Sequence, residues 1–281
     1  MLVALVGMTA CSSDDDNNEN NGDTPVNHDF TGYIFVTSRY FQDMYYGNNA
    51  TLKVYTEDNQ YKVEFHDPQW GDVTFENVTL SPQLSGTGKL SMNYQGKDGS
   101  YDAVLSGSMM MPIISMPDVM GGTTITFYAG DAPLACELNG NHLGLNIVMV
   151  GDGYGPYEVN ATYKISANPD GTLNLTIPEY AIDDTPIGDL TIGKSTIKNI
   201  AYDEEKQAFY RLYGADEMTE HFKAVMNGQT TMDSDYPFSA DSYIQIELTE
   251  SGIKVINHFS LGRMPFPINC TFSEDTASEV D

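Results

Sequence analysis

The sequence predicts an all-β protein built as two tandem antiparallel meander barrels, with a short helix in the second. Three observations predict it. Short alternating segments rich in Tyr, Thr, Val and Ile follow one another through the chain, as expected of half-buried strands. Turn residues separate them: "TLKVYT" and "YKVEF" flank Glu57-Asp58-Asn59, while "TYKISA" and "TLNLTI" flank Asn168-Pro169-Asp170-Gly171, both read as hairpins. The third observation is a weak internal repeat. About eight strands in sequential order per copy suit an up-and-down meander that closes on itself and so removes its exposed edges.

The repeat is carried by short motifs. Asn49-Ala50-Thr51-Leu52-Lys53-Val54 corresponds to Asn160-Ala161-Thr162-Tyr163-Lys164-Ile165 at an offset of 111, and Trp70-Gly71-Asp72-Val73-Thr74 to Ile187-Gly188-Asp189-Leu190-Thr191 at 117. The six extra residues of the second copy fall in the stretch ending "EYAIDDTP", read as a longer loop. More loosely, Met116-Pro117 precedes Thr126-Phe127 as Met264-Pro265 precedes Thr271-Phe272. Solenoid units are only a few tens of residues long, so an offset of this size marks a domain duplication. The first domain is placed at 28–135 and the second at 137–275, with a C-terminal tail at 276–281.

One segment departs from strand patterning. In "ADEMTEHFKAVMNG", Met218, Phe222, Val225 and Met226 fall at helical spacing, acids come early, Lys223 late, and Asn227-Gly228 supplies a stop, so a short helix is expected there. Its apolar stripe would cover the barrel mouth or wall, or meet a partner.

Residues 1–10 read as a partial signal peptide, an apolar run too short to span a membrane. No basic n-region precedes it, so the true leader is expected to start upstream. Met8-Thr9-Ala10-Cys11 resembles a bacterial lipobox, which makes Cys11 the expected acylated residue. Residues 11–27 form an acidic, Asn-rich tether. Its opening Ser12-Ser13-Asp14-Asp15-Asp16 resembles the export signal of surface lipoproteins in gut-type Gram-negative anaerobes. The expected location is the outer membrane, lipid-anchored and facing outward.

Taken together, the lipobox, the tether, the repeated Asn-Ala-Thr-x-Lys and Gly-Asp-x-Thr motifs and the Met-Pro to Thr-Phe segments resemble the calycin-like β-barrel domain of surface lipoproteins. The resemblance implies one lipocalin-like barrel per repeat and leaves ligand chemistry open. The Gly-x-Trp of true lipocalins is not matched, since the sole tryptophan, Trp70, is followed by Gly71 in a later segment.

Composition narrows the function. With 13 Lys plus Arg against 40 Asp plus Glu, the net charge of −27 opposes binding to phosphate backbones, so nucleic acid is not an expected partner. No enzyme, cofactor or metal is expected: the close His-acid pair His66-Asp67 has no nucleophile or third group marked for it, and no paired cysteine, His-x-x-x-His or phosphate-loop motif occurs. Asp233-Ser234-Asp235, Asp183-Asp184 and Gly151-Asp152-Gly153 match no calcium loop. Cys136 and Cys270 are either buried thiols or a bridge closing the second domain.

Two stretches suggest binding. "SRYFQDMYYGNN" concentrates Tyr40, Phe41, Tyr45 and Tyr46, which suit either a sugar or peptide platform or strands entering the core. The methionine-rich segment around Met110 and Met116, with Trp70, suits an adaptable apolar pocket or ordinary packing. The expected function is binding of an apolar or amphipathic small molecule, with the first barrel the better candidate. The alternative is an adhesion or envelope-interaction module that holds glycan or protein through loops and barrel exterior.

Overall fold

The computed structural model describes residues 26–274, apart from residues 95, 215, 217, 263 and 265. The first barrel has eight strands: β1 (Asn27–Ser38), β2 (Met44–Glu57), β3 (Gln60–Asp67), β4 (Gly71–Thr79), β5 (Ser85–Tyr94), β6 (Lys97–Gly107), β7 (Pro112–Met116) and β8 (Thr123–Ala129). Each pairs antiparallel with the next, and β8 returns to β1 to close the barrel. Asp58 and Asn59, both at positive φ, turn the β2–β3 hairpin with Glu57 opposite Gln60, the conformation that matches the twist of the flanking strands. Alternate residues point inward, and Ile34, Leu52, Phe65, Phe75, Leu105, Ile114 and Phe127 fill the interior.

A single helical turn, α1 (Leu134–Glu137), leads into the second barrel. That barrel is made of β9 (Gly140–Val150), β10 (Tyr154–Ala167), β11 (Leu173–Ile177), β14 (Ser195–Asp203), β15 (Ala208–Leu212), β18 (Tyr243–Thr249), β19 (Gly252–Phe259) and β20 (Ile268–Glu274). Two hairpins leave the meander: β12 (Tyr180–Thr185) with β13 (Gly188–Ile192), and β16 (Thr219–Met226) with β17 (Gln229–Pro237). Pairing of β13 with β16 joins them into a separate four-stranded sheet.

This inserted sheet corrects two expectations. The segment expected to be helical is strand β16, and Asn227-Gly228, both at positive φ, is its hairpin turn to β17. "EYAIDDTP" is not a longer loop, since most of it is strand β12. Among the described residues a short helix lies instead at Leu134–Glu137.

The duplication is visible atom by atom. A Cβ on Gly32 of β1 would stand 2.0 Å from the Tyr128 carbonyl oxygen and 2.8 Å from the Phe127 ring. One on Gly144 of β9 would stand 2.1 Å from the Ser273 carbonyl oxygen and 2.8 Å from the Phe272 ring. Each barrel thus closes by pressing its last strand onto a glycine of its first, an approach no side chain permits. Gly32 faces Ala50 as Gly144 faces Ala161, so the Asn-Ala-Thr motifs occupy equivalent second strands. The Gly-Asp motifs do not, because β4 is a barrel strand and β13 belongs to the inserted sheet.

The barrels meet through the outer face of β1. Tyr33 and Phe35, which alternate with inward Ile34 and Val36, are buried in one cluster with Ala135, Cys136 and Leu138. Tyr33 stacks on Tyr128 at 5.1 Å, and Phe35 packs against Tyr45 at 5.5 Å.

Candidate functional site

The two interiors differ at three equivalent positions. Strand register equates Ile34 with Asn146, Leu52 with Tyr163, and Ile125 with Cys270. The first barrel is apolar there and the second is polar. Tyr163 stacks on Phe272 at 4.2 Å, the Tyr180 hydroxyl lies 3.2 Å from Cys270 Sγ, and the Tyr213 hydroxyl donates to Asn257 Oδ1 at 2.7 Å. Asn146 is fully buried, neither amide atom makes a hydrogen bond of ordinary geometry, and the amide interacts only weakly with the Cys270 thiol. Such orphan groups cost roughly 1 to 3 kcal/mol each, so the polar character of this interior opposes stability.

The inserted sheet lies over this interior. Register places Tyr180, Ile182, Leu190, Ile192, Phe222 and Ala224 on one buried face, all in the core cluster of the second barrel. Glu220 continues that face and is only 3% exposed. Burial pushes its carboxyl up to about 7, against the opposing pull of the Ser195 hydroxyl, the His221 backbone N–H and the His221 ring. Burial likewise raises the Cys270 thiol to about 11, with Tyr180 and Asn146 pulling the other way. A thiol so placed is protonated and unreactive at neutral pH.

Beside the sheet opens an apolar pocket of about 280 Å³. Ile187 comes from the β12–β13 turn, Phe222 and Met232 from β16 and β17, and Leu261, Met264 and Phe266 from the segment before β20. A bridge between Phe238 and Leu261 pins that segment, and Tyr236 packs edge-on to Phe222 at 6.3 Å. Gly262 lets the chain pass the Tyr236 ring at φ +58.

The residues singled out in the sequence are scattered. Trp70 is buried at one end of the first barrel, edge-on to Tyr46 at 5.2 Å, with Phe41 packed on Tyr46 at 6.0 Å. Met116 is fully buried in the first barrel, whereas Met110 is 58% exposed and points away from any core. Tyr40 is 75% exposed and Tyr45 turns toward the junction of the barrels. Trp70, Met110 and Met116 therefore do not form one site. Cys11 and Ser12 to Asp16 lie outside the described residues.

His66-Asp67 dissolves on inspection. Asp67 is buried and accepts backbone N–H bonds from Gln69 at 2.9 Å and Trp70 at 2.8 Å, a turn anchor. His66 pairs with Asp72 instead. Cys136 and Cys270 are free, buried thiols. Among the described residues no group of three His, Cys, Asp or Glu is placed to hold a metal ion.

Sequence reasoning missed Asn146 and the 280 Å³ pocket. Asn146 left a signal: "GYIFV" of the first copy aligns with "GLNIV" of the second, and the inward position changes from Ile to Asn. The pocket left none, because its walls come from segments spread along the chain from Ile187 to Phe266 that only the fold brings together.

The fold is that of a tandem pair of closed eight-stranded barrels, the second carrying an inserted sheet. Residues 138–275, which contain the second barrel, match the family model described as the calycin-like beta-barrel domain. A crystal structure of a "putative outer membrane protein" from Bacteroides fragilis superposes with a TM-score of 0.57 at 21% identity, covering 89% of this chain and 97% of that one. At that identity the likeness is one of fold. No curated protein matches the chain.

Proposed function

We propose that the protein binds an apolar or amphipathic small molecule in the pocket beside the inserted sheet of the second barrel. The observation that carries this reading is the apolar pocket itself, walled by strands that the first barrel lacks. Its lining of methionine and aromatic side chains adapts to varied apolar shapes. A guest hiding about 300 Å² of apolar surface would gain about 7 kcal/mol, part of which offsets the cost of association, so micromolar-to-millimolar affinity is expected.

The site thus moves from the first barrel to the second, and Trp70, buried in the core of the first barrel, is not among its lining residues. Thermal denaturation of the full chain with fatty acids, sterols and bile-acid-like amphiphiles is the direct test. A ligand held only by the native state raises the midpoint saturably, and Met264→Asp should abolish the rise. If the whole panel leaves the midpoint unmoved, the pocket is not a ligand site.

The setting we propose is the outer membrane, with Cys11 acylated and the barrels facing outward. The calycin-like family and the B. fragilis neighbour support an envelope location, and the lipobox-like Met8-Thr9-Ala10-Cys11 supports the anchor. Anchoring needs several acyl chains, since one binds membranes only marginally. Cys11→Ala should therefore move the protein to the soluble fraction, and retention through a high-salt wash would place the anchor elsewhere.

A further inference from the structure

Residues 41–45, which lead into and begin β2, form one wall of a second cavity, of about 410 Å³, that lies between the barrels. The facing wall is the outer surface of β9, β10 and β11, and it is lined with amides. Asn168 Nδ2 donates to Asn174 Oδ1 at 3.2 Å and to Thr172 Oγ1 at 2.8 Å, while Asn174 Nδ2 donates back to Asn168 Oδ1 at 2.8 Å. These amides are locked in place. Asn139 Oδ1 accepts the Ala167 N–H at 3.0 Å, which leaves its NH2 group for another partner. The side chains of Gln42, Asn141, Lys164 and Ser166 line the same cavity and engage no partner among the described residues.

We propose that this cleft binds a neutral saccharide. Each sugar hydroxyl is at once donor and acceptor, and side-chain amides present the matching pair of groups on one planar unit. The cleft offers these at Gln42 and Asn141, with fixed amides beneath them that need no ordering on binding. Phe41 and Tyr45 border it, held by Tyr46 and Phe35, and supply the apolar area on which the C–H face of a sugar ring packs.

Other ligand classes fit less well. Peptides that add as a strand need a free sheet edge, and β9, β10 and β11 are paired on both sides within a closed barrel. Anionic ligands meet a single lysine, Lys164, balanced by Asp43 across the cleft, in a chain of net charge −27. The inference rests on a different cavity from the apolar pocket, so either reading can fail alone.

The test is retention of the full chain on immobilised gluco-, xylo-, manno- and galacto-oligosaccharides, with uronic-acid oligosaccharides alongside, followed by calorimetric titration of the best-retained sugar. Gln42 and Asn141 are exposed and unbonded, so Gln42→Ala and Asn141→Ala should leave the melting temperature unchanged. We expect retention on at least one neutral series, weakened on the order of tenfold by each variant, as for loss of one or two hydrogen bonds. Met232→Asp in the apolar pocket should leave it unaltered. Retention on no neutral series, retention on uronic acids alone, or neutral-sugar affinity indifferent to both cleft variants would each overturn the proposal.

Discussion

Glu220 shows how one residue can set the pH response of a domain. It sits on the inner face of the inserted sheet, and its neighbours by charge are Tyr180, Tyr213, Asp235 and His221. The tyrosines stay neutral, because burial raises both well above their usual value. A carboxyl raised from 4.5 to about 7 binds its proton more tightly in the folded chain. Its contribution to stability is therefore complete below about pH 4.5 and is lost as pH rises through about 7. At about 1.4 kcal/mol per pH unit, the loss is at most about 3 kcal/mol. Glu220→Gln keeps a hydrogen-bonding group for Ser195 and removes the titration. Urea denaturation across pH 4.5 to 8 should show wild type losing stability relative to this variant, with the gap opening between about 4.5 and 7. Parallel profiles would mean that Glu220 has the same pKa in the folded and unfolded chain, so that burial does not raise it. His221 is exposed and held up chiefly by Asp235, and because its charge couples to Glu220, the same comparison in a His221→Gln background separates the two groups.

At the scale of elements, the same residue explains why the inserted sheet escaped the sequence reading. In β16 the inward positions are Glu220, Phe222 and Ala224. An acid at the first of them hides the alternation, and Met218, Phe222, Val225 and Met226 then stand out at helical spacing. The turn residues were legible all the same. Asn227-Gly228 is a strong hairpin signal, and it outweighs a helical stop once the preceding run is taken as a strand. The barrels themselves were legible because Ile34, Leu52, Val54, Ile165 and Leu175 obey the period of two without interruption. The repeated Gly-Asp motif was legible as a local turn and misleading as topology. A Cβ on Gly71 or Gly188 would stand 1.9 or 2.2 Å from a carbonyl oxygen of the next strand, and both glycines sit at positive φ. What repeats is therefore a tight hairpin exit pressed against a neighbour, used once inside a barrel and once outside it. The scattered site residues failed for a related reason. Trp70, Met116 and Tyr46 are the kind of large side chain that a small barrel uses to fill its own interior and ends, and composition cannot distinguish that use from a lining.

Across the whole molecule, the duplicated barrels share their closure and differ in what they enclose, and the junction between them decides whether they move together. Tyr33, Phe35, Tyr45 and Tyr128 on the first barrel bury α1 and Cys136, an aromatic interface of the kind that resists separation more than a polar one. Two buried thiols report on it. Cys136 lies at the junction and Cys270 inside the second barrel, and burial raises both to about 11, so each labels only when its surroundings open. In a chain carrying Cys11→Ser, Phe35→Ala should weaken the junction by about 3 kcal/mol or more, the usual cost of truncating a buried phenylalanine. Cys136 should then react at least a hundredfold faster with a thiol reagent under native conditions, since each 1.4 kcal/mol is a factor of ten in opening. Cys270 should keep its wild-type rate, because it lies inside the second barrel, whereas the ring contacts of Phe35 are with Tyr33, Tyr45 and Tyr128 at the junction. Equal acceleration at both thiols would show that the barrels open as one cooperative unit.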